Sequence, residues 1–179
     1  LKITNTNVYY ISSDKNDPGL SLVNPNFKSF NVGQGYILNW LFANIETDVF
    51  VMTTPDLNSF QLKRSKNNVH YLYVQHSLVS LHMGYREGAF DHFDTIFCAG
   101  PHHVSEMQEI VRAKGLAGKN IVEHGYSRLD QVIKDVSNKT YKDKPSKLEK
   151  HILVAPSWGE NCIIETIGCK LIKNKFVIL

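Results

Sequence analysis

Polar side chains that could do chemistry follow several short apolar runs of this chain. In "YVQHSLVSLHMGY" (73–85), Gln75, His76 and Ser77 lie at the end of one such run, and His82 follows a few residues later. A neutral imidazole can take a proton from an attacking hydroxyl, because its unperturbed pKa lies near the working pH. The pattern indicates a catalytic or binding site. The alternative, which stays open, is that the histidine has a structural role and is hydrogen-bonded only to a backbone carbonyl. No metal is predicted, since the spacing matches no helical pattern of zinc ligands.

A second polar turn is "EHGYSRLDQ" (123–131). Gly125 permits a tight turn from strand to helix, Ser127 is the predicted helix cap, and Arg128 falls in the first turn of the helix. A cation there opposes the helix dipole, so an anion held between Arg128 and the helix start would compensate for it. An ion pair of Arg128 with Asp130 is the equally weighted alternative.

A third polar turn, "PSWGEN", lies within "HILVAPSWGENCIIETIG" (151–168), between a predicted strand and a predicted helix. Ser157, Trp158, Gly159 and Asn161 belong to it, and its free backbone N–H groups have the arrangement that holds a phosphate. Alternatively, Ser157 or Asn161 simply caps the helix.

The segment "GYREGAFDHFD" (84–94) is predicted to form a short helix at the mouth of a ligand crevice. Asp91 and Asp94 could be paired carboxylates. We weight both toward a structural role, because an Asp directly before an apolar run more often only starts a strand.

The elements that must position these residues are read from hydrophobic periodicity. Helical spacing predicts helices over 33–45, with Tyr36, Ile37, Trp40 and Leu41 as apolar positions, over 101–115 between Pro101 and Gly115, and over 127–136, with a stripe of Leu129, Val132, Ile133 and Val136. Strands are predicted at 7–12, 48–55, 69–77, 94–101, 119–125 and 151–157, and a loop rich in Asn, Pro, Gly and Ser at 13–32.

Strands that alternate with amphipathic helices predict an α/β fold with a doubly wound parallel sheet covered on both faces. We expect a Rossmann-like N-terminal domain over 1–137, a charged linker over 138–150, and the beginning of a second domain over 151–179. In such sheets ligands bind beyond the carboxyl ends of the strands, so the polar turns there are the places to expect a site.

Composition limits the function classes. A formal net charge of +3, with 42% hydrophobic and 21% charged residues, is typical of a globular protein, and it falls short of the basic stripe that nucleic-acid binding requires. The three cysteines show no CxxC spacing, which favours reduced thiols and a cytoplasmic location. No apolar run is long enough to span a membrane, so any membrane contact would be peripheral. Because the chain starts at Leu1 and stops at "KFVIL", we expect it to be a fragment.

In order and spacing, "FDHFDTIFCAGP", "GYSRLD" and "HILVAPSWGEN" resemble the CDP-glycerol glycerophosphotransferase family of teichoic-acid and capsule polymerases over about residues 70 to 179. "GYSRLD" is similar to the family's Gly-Tyr-Pro-Arg-x-Asp. The family's His-Gly-Thr motif falls on His76, which is followed here by Ser77 and Leu78. Its later motifs would lie beyond Leu179.

The resemblance implies a GT-B architecture and a transferase that moves glycerol phosphate from CDP-glycerol to a polymer hydroxyl. We expect this transferase to use no cofactor and to be cytoplasmic, and peripheral contact with the inner face of the cell membrane stays open. It implies that His76 is the catalytic base. Substrate would be bound by Gln75, Ser77, His82, Arg128, Ser157, Trp158, Gly159 and Asn161. Two alternatives stay open: a GT-B glycosyltransferase or epimerase that uses a UDP-sugar, and a non-catalytic binding domain.

Overall fold

A computed structural model describes residues 6–59 and 62–138 of the chain. These residues form an α/β fold built on parallel strands. In chain order the elements are β1 (Val8–Ser12), a short 3-10 helix (Pro18–Ser21), β2 (Phe27–Asn31), α1 (Tyr36–Asn44), β3 (Val49–Met52), β4 (His70–Val74), β5 (Thr95–Cys98), α2 (Pro101–Lys114), β6 (Asn120–Glu123) and α3 (Ser127–Asn138). The predicted α/β class is therefore confirmed.

The larger sheet contains four parallel strands in the order β3-β4-β5-β6. This order follows the chain, so no reversal of strand order occurs among the described strands. Of the three connections in this sheet, the one from β5 to β6 passes through a helix, α2, whereas the described residues between β3 and β4 and between β4 and β5 form turns and irregular segments. β1 and β2 form a separate two-stranded parallel sheet.

The core lies against one face of the four-stranded sheet. Tyr73 on β4 is beside Met52 on β3 and Ile96 on β5, and all three side chains are buried. Alternate residues on parallel strands point to the same face, so this row is continuous across the sheet. Met107 of α2 packs into the same cluster. A fully buried apolar side chain of this size contributes roughly 1.5 to 3 kcal/mol through its removal from water.

The opposite face of the sheet is exposed along its two edge strands within the described part of the chain. Val49 and Val51 on the edge strand β3 are 48% and 58% exposed, and Val122 on β6 is 40% exposed. The sequence analysis expects a sheet that is covered on both faces. Within residues 6–59 and 62–138, this expectation is met on one face only. Helix α3, whose sequence gives an amphipathic stripe, also leaves Leu129 and Val132 about half exposed.

Helix α2 has both ends where the sequence predicts them. Pro101 occupies the first turn, where its missing N–H costs nothing. At the other end Gly115 adopts φ 65°, in the left-handed region, and its N–H donates to the carbonyl of Val111. Arg112 and Lys114 lie in the last turn, where cations are favourable to the helix dipole.

Three local predictions are wrong. The segment 13–32 is not only loop, because it contains the 3-10 helix and β2. β2 pairs with β1 and stacks Phe27 on Tyr10. The segment 84–94 forms a series of turns instead of a helix. In α1 three of the four predicted apolar positions, Tyr36, Ile37 and Trp40, are exposed, whereas Phe42 makes an edge contact with Phe50 of β3.

The chain divides into two units after Gln131, a boundary within α3. The predicted linker at 138–150 and second domain at 151–179 lie, except for Asn138, outside the described residues, so these boundaries stay predictions. Within the described ranges no helix combines the length and the apolar character needed to cross a bilayer.

Candidate functional site

The carboxyl end of β4 carries three of the sequence-predicted site residues. Gln75, His76 and Ser77 directly follow Val74, and the backbone N–H of Gln75 continues the pairing with β5 by donating to the carbonyl of Phe97. Gln75 is buried, Ser77 is half-buried and His76 is exposed. The sheet therefore fixes the backbone of this segment and leaves the imidazole at the surface.

Tyr73, the neighbour of His76 inside the core, contacts its ring. The Tyr73 hydroxyl lies 3.1 Å from Nδ1 of His76, and the two rings meet edge to face with centroids 6.4 Å apart. Tyr73 is fully buried. Burial raises the pKa of Tyr73, and the Tyr85 phenol and the Asp56 charge raise it further, so its hydroxyl stays protonated at neutral pH.

Tyr85 joins the other two residues of the strand end. Its hydroxyl accepts a hydrogen bond from Nε2 of Gln75 at 3.0 Å and lies 3.1 Å from Oγ of Ser77. Its ring also makes an edge contact with the imidazole of His76. Gln75 is only 5% exposed, and its Oε1 is buried without a hydrogen-bond partner among the described residues. A buried polar atom without a partner is rare in proteins and requires an explanation.

The turn after β6 reaches the same place. The hydroxyl of Tyr126 donates to the carbonyl of His76 at 2.9 Å, although 50 positions separate the two residues. Gly125, at φ 87°, and His124 both direct their N–H groups to the carbonyl of Cys98 at the end of β5. The turns after β4 and β6 therefore meet beside the end of β5, where the sequence analysis expected polar turns to converge.

We refer to six side chains as the strand-end cluster: Tyr73, Gln75, His76, Ser77, Tyr85 and Tyr126. Sequence reasoning missed the three tyrosines. Tyr73 is the third residue before His76 in an apolar strand, which predicts a core residue and gives no hint of its hydroxyl contact. Tyr126 belongs to "GYSRLD", so its place in that motif was the available signal.

Arg128 follows the cluster in the first turn of α3, and its side chain is exposed. Among the described residues it makes no ion pair, so the alternative of a pair with Asp130 is not observed. The predicted cap at Ser127 is displaced by one residue. The carbonyl of Tyr126 accepts from the N–H of Asp130, which makes Tyr126 the cap residue and Ser127 the first residue of the helix.

The other predicted site residues are not brought into the cluster. His82 is exposed, and no described contact connects it with His76. Ser157, Trp158, Gly159 and Asn161 lie outside the described residues and stay predictions.

A buried histidine that the sequence analysis did not single out, His103 on α2, has a structural environment. Its Nε2 lies 2.8 Å from the carbonyl of Val79, and its Nδ1 accepts from the N–H of Ala99. Burial is the main cause that lowers its pKa, so the neutral form is favoured. His103 therefore fixes the turn after β4 against α2.

A cavity of about 300 Å³ lies at the opposite edge of the sheet, where β5 and β6 begin. Its charged residues serve the fold. Asp94 pairs with Arg64, Asp91 pairs with Lys114, and the Lys119 ammonium donates to the carbonyls of Phe90, Asp91 and Phe93. Each of the two carboxylates therefore has its own cation partner within the fold.

In the described part of the chain, no group of three His, Cys, Asp or Glu side chains could hold a metal ion. Cys98 is buried, and burial raises its pKa to about 11, so its thiol is a core group rather than a nucleophile at neutral pH. Within the strand-end cluster, the exposed imidazole of His76 is accessible to a polar ligand, and the buried Tyr73 and Gln75 lie behind it.

In comparisons with known proteins, the chain matches no protein-family model, no curated protein and no solved structure. The functional interpretation therefore depends on the residues themselves and on the motif resemblance described above.

Proposed function

We propose that this chain is part of a transferase that moves glycerol phosphate from CDP-glycerol to a hydroxyl of a teichoic-acid-like or capsular polymer. The proposal includes a GT-B arrangement in which the strand-end cluster belongs to the N-terminal, acceptor-side domain. It also places the enzyme in the cytoplasm, at the inner face of the membrane.

One observation supports this proposal more than any other. The His76 turn, on which the family's His-Gly-Thr motif falls, and "GYSRLD" lie about 50 residues apart in sequence, yet the Tyr126 hydroxyl binds the His76 carbonyl at 2.9 Å. Turns that follow strands of one parallel sheet converge at its carboxyl edge, and this contact makes these two turns direct neighbours there. Their meeting at the carboxyl edge of a parallel sheet is what a shared ligand site requires.

His76 can act in the transfer in two ways, and its tautomer decides between them. With the proton on Nδ1, the free lone pair of Nε2 could take the proton of the acceptor hydroxyl. With the proton on Nε2, the ring could instead donate a hydrogen bond to a phosphate oxygen of the donor. Arg128, in the following motif, would stabilise the charge that develops on the departing CMP phosphate, a contribution that is often large in catalysis.

Calorimetry with the 179-residue chain tests the substrate class. We expect CDP-glycerol to bind at least about tenfold more tightly than UDP-glucose, a difference of about 1.4 kcal/mol. His76→Ala should weaken this binding, and in the intact protein it should abolish transfer. The matched control is His92→Ala, another exposed histidine, which lies at the opposite edge of the sheet and should bind CDP-glycerol as the native chain does.

The alternatives give different results in the same experiment. Tighter binding of the UDP-sugar would favour a glycosyltransferase or epimerase. Binding of CDP-glycerol that is unchanged by His76→Ala would argue against a role for the strand-end cluster. Binding of CDP-glycerol by the intact protein without any transfer to a polymer hydroxyl would favour a non-catalytic binding domain.

A further inference from the structure

The hydroxyl of Tyr73 lies inside the core, where its O–H group needs a hydrogen-bond acceptor. Tyr73 is fully buried, and among the described residues its hydroxyl has one hydrogen-bond partner, Nδ1 of His76 at 3.1 Å. A buried hydroxyl without an acceptor would cost about 1 to 3 kcal/mol. The same burial raises the pKa of this phenol, so the proton to be placed is present at neutral pH.

The Tyr85 phenol and the Asp56 charge both influence Tyr73, and Tyr85 does so as a hydrogen-bonding neighbour. Among the described residues, however, the contact of the Tyr73 hydroxyl that has hydrogen-bond distance and angles is the one with Nδ1 of His76, at 3.1 Å. The Tyr85 hydroxyl is instead bonded to Nε2 of Gln75 and lies 3.1 Å from Oγ of Ser77. The Tyr73 hydroxyl therefore donates to Nδ1 of His76. A neutral imidazole has one ring proton, which must then be on Nε2.

We infer that Tyr73 is a positioning residue that holds His76 in the Nε2–H tautomer, so that the imidazole presents a hydrogen-bond donor, not a base, to an anionic oxygen of the ligand. The identity of that oxygen as a phosphate of the nucleotide-activated donor rests on the proposed function; the tautomer does not.

The surroundings of His76 hold the ring in this orientation. Tyr73 and Tyr85 both contact the imidazole edge to face, with centroids 6.4 and 6.3 Å away. Tyr126 holds the backbone carbonyl of the same residue. With Nδ1 occupied and the ring exposed, Nε2–H is the polar group of His76 left for a ligand. This arrangement assigns His76 to the donor phosphates and not to the acceptor hydroxyl.

Nitrogen-15 NMR of the histidine-labelled 179-residue chain tests the tautomer directly. At a pH where His76 is neutral, the shifts of the two ring nitrogens distinguish the protonated from the unprotonated one, and a His76→Gln spectrum assigns the resonances. We expect the native chain to carry its proton on Nε2, and Tyr73→Phe to give a mixture of both tautomers. Tyr71→Phe is the matched control and should leave the tautomer unchanged, because Tyr71 is equally buried on β4 and its hydroxyl is bonded to the N–H of Ser65.

A native chain with the proton on Nδ1 would overturn the inference whether or not Tyr73→Phe folds. So would a tautomer that responds to Tyr71→Phe and not to Tyr73→Phe. These results do not depend on CDP-glycerol, so the tautomer can prove correct while the proposed function fails, or the reverse.

Binding of CDP-glycerol by two His76 variants tests the donor role. The amide of glutamine can replace an Nε2–H donor but cannot replace a base. His76→Gln should therefore bind within about tenfold of the native chain, whereas His76→Ala should lose more than about tenfold, the effect of one hydrogen bond to a charged oxygen. Equal losses in the two variants would contradict a donor role for His76.

Discussion

Replacing Asp94 by Asn tests whether the charged residues at the amino edge of the sheet hold the fold together. Asp94 accepts from the buried backbone N–H of Tyr71 at 2.7 Å and receives two hydrogen bonds from the Arg64 guanidinium, at 3.0 and 3.2 Å. An asparagine has a single acceptor oxygen. If that oxygen stays where Oδ2 accepts from the Tyr71 N–H and from Nη2 of Arg64, the amide NH₂ takes the place of Oδ1 and faces the other donor, Nη1 of Arg64.

The expected cost follows from these contacts. Side-chain exposures of 30% for Arg64 and 34% for Asp94 allow solvent screening, which limits the ion pair to about 1 kcal/mol. Loss of charge weakens the bond from Tyr71 by about 1 kcal/mol more. The total of about 2 kcal/mol corresponds to a fall of about 4 to 8 °C in Tm for a chain of this length. Circular dichroism melts would measure it.

The matched control is Glu109→Gln, which removes an exposed ion pair with Arg112 within α2. We expect it to cost less than about 0.5 kcal/mol, because its partners are largely exposed. Equal effects of the two substitutions would refute the structural role of Asp94. A marked loss of CDP-glycerol binding in a folded Asp94→Asn chain would also refute the separation of this edge from the ligand site.

The pH dependence gives Asp94 a second test. Burial raises its pKa, but the hydrogen bonds from Arg64 and Tyr71 outweigh burial, so the folded-state pKa lies below the ordinary value. A depressed folded pKa stabilises the fold above the unfolded value of about 3.9, and this contribution is lost as pH falls through the folded pKa. The stability difference between native and Asp94→Asn chains should be constant from about pH 5 to 7 and shrink below about pH 4.

Three further substitutions test other parts of the description. Because burial lowers the pKa of His103, the unfolded state binds more protons, and native stability should fall as the pH is lowered from about 7 to 5. The unfolding free energy of His103→Gln, measured in urea, should lack this component. Equal slopes of unfolding free energy against pH in the two chains would contradict the prediction. Gln75→Met should change the unfolding free energy by less than about 1 kcal/mol, because loss of the bond to Tyr85 is offset by removal of an unpaired oxygen, and a loss above about 2 kcal/mol would show that this oxygen has a partner. Gly115→Ala should cost about 1 kcal/mol, since Gly115 adopts φ 65°, and an unchanged melting temperature would contradict this.

Most of the correct fold prediction came from apolar runs, which predict strands, and from the residues that mark the ends of a helix. The runs "VFVM" and "TIFC" are strands, and α2 starts and ends at the proline and glycine that predict its limits. β2 was missed because "FKSFN" mixes aromatic and polar residues within a segment rich in turn formers. The apolar side of α1 was misassigned because helical spacing shows that a side exists, whereas the packing partner, here Phe50 against Phe42, is a tertiary property.

The candidate site could be predicted only in part. Parallel-sheet topology places Gln75, His76 and Ser77 at the carboxyl edge, and this follows from the sequence. The hydrogen bond from Tyr126 to the His76 carbonyl depends on how two turns fold over the end of β5, which no local pattern encodes. The role of Tyr73 is hidden for a different reason, since periodicity records that a residue is buried and not which atom its hydroxyl reaches.

The two edges of the sheet differ in a property that bears on where a ligand binds. At the amino edge, Asp94, Asp91 and Lys119 are satisfied by partners from the chain, so a ligand entering the 300 Å³ cavity would have to replace bonds that already exist. At the carboxyl edge, the described contacts leave Oε1 of Gln75 without a donor and Nε2 of His76 without a partner. A ligand gains free energy from groups whose hydrogen bonds are still to be made, because an intramolecular bond that it must break cancels the bond it forms. Unused hydrogen-bonding capacity, more than the size of the cavity, therefore favours the strand-end cluster as the binding site.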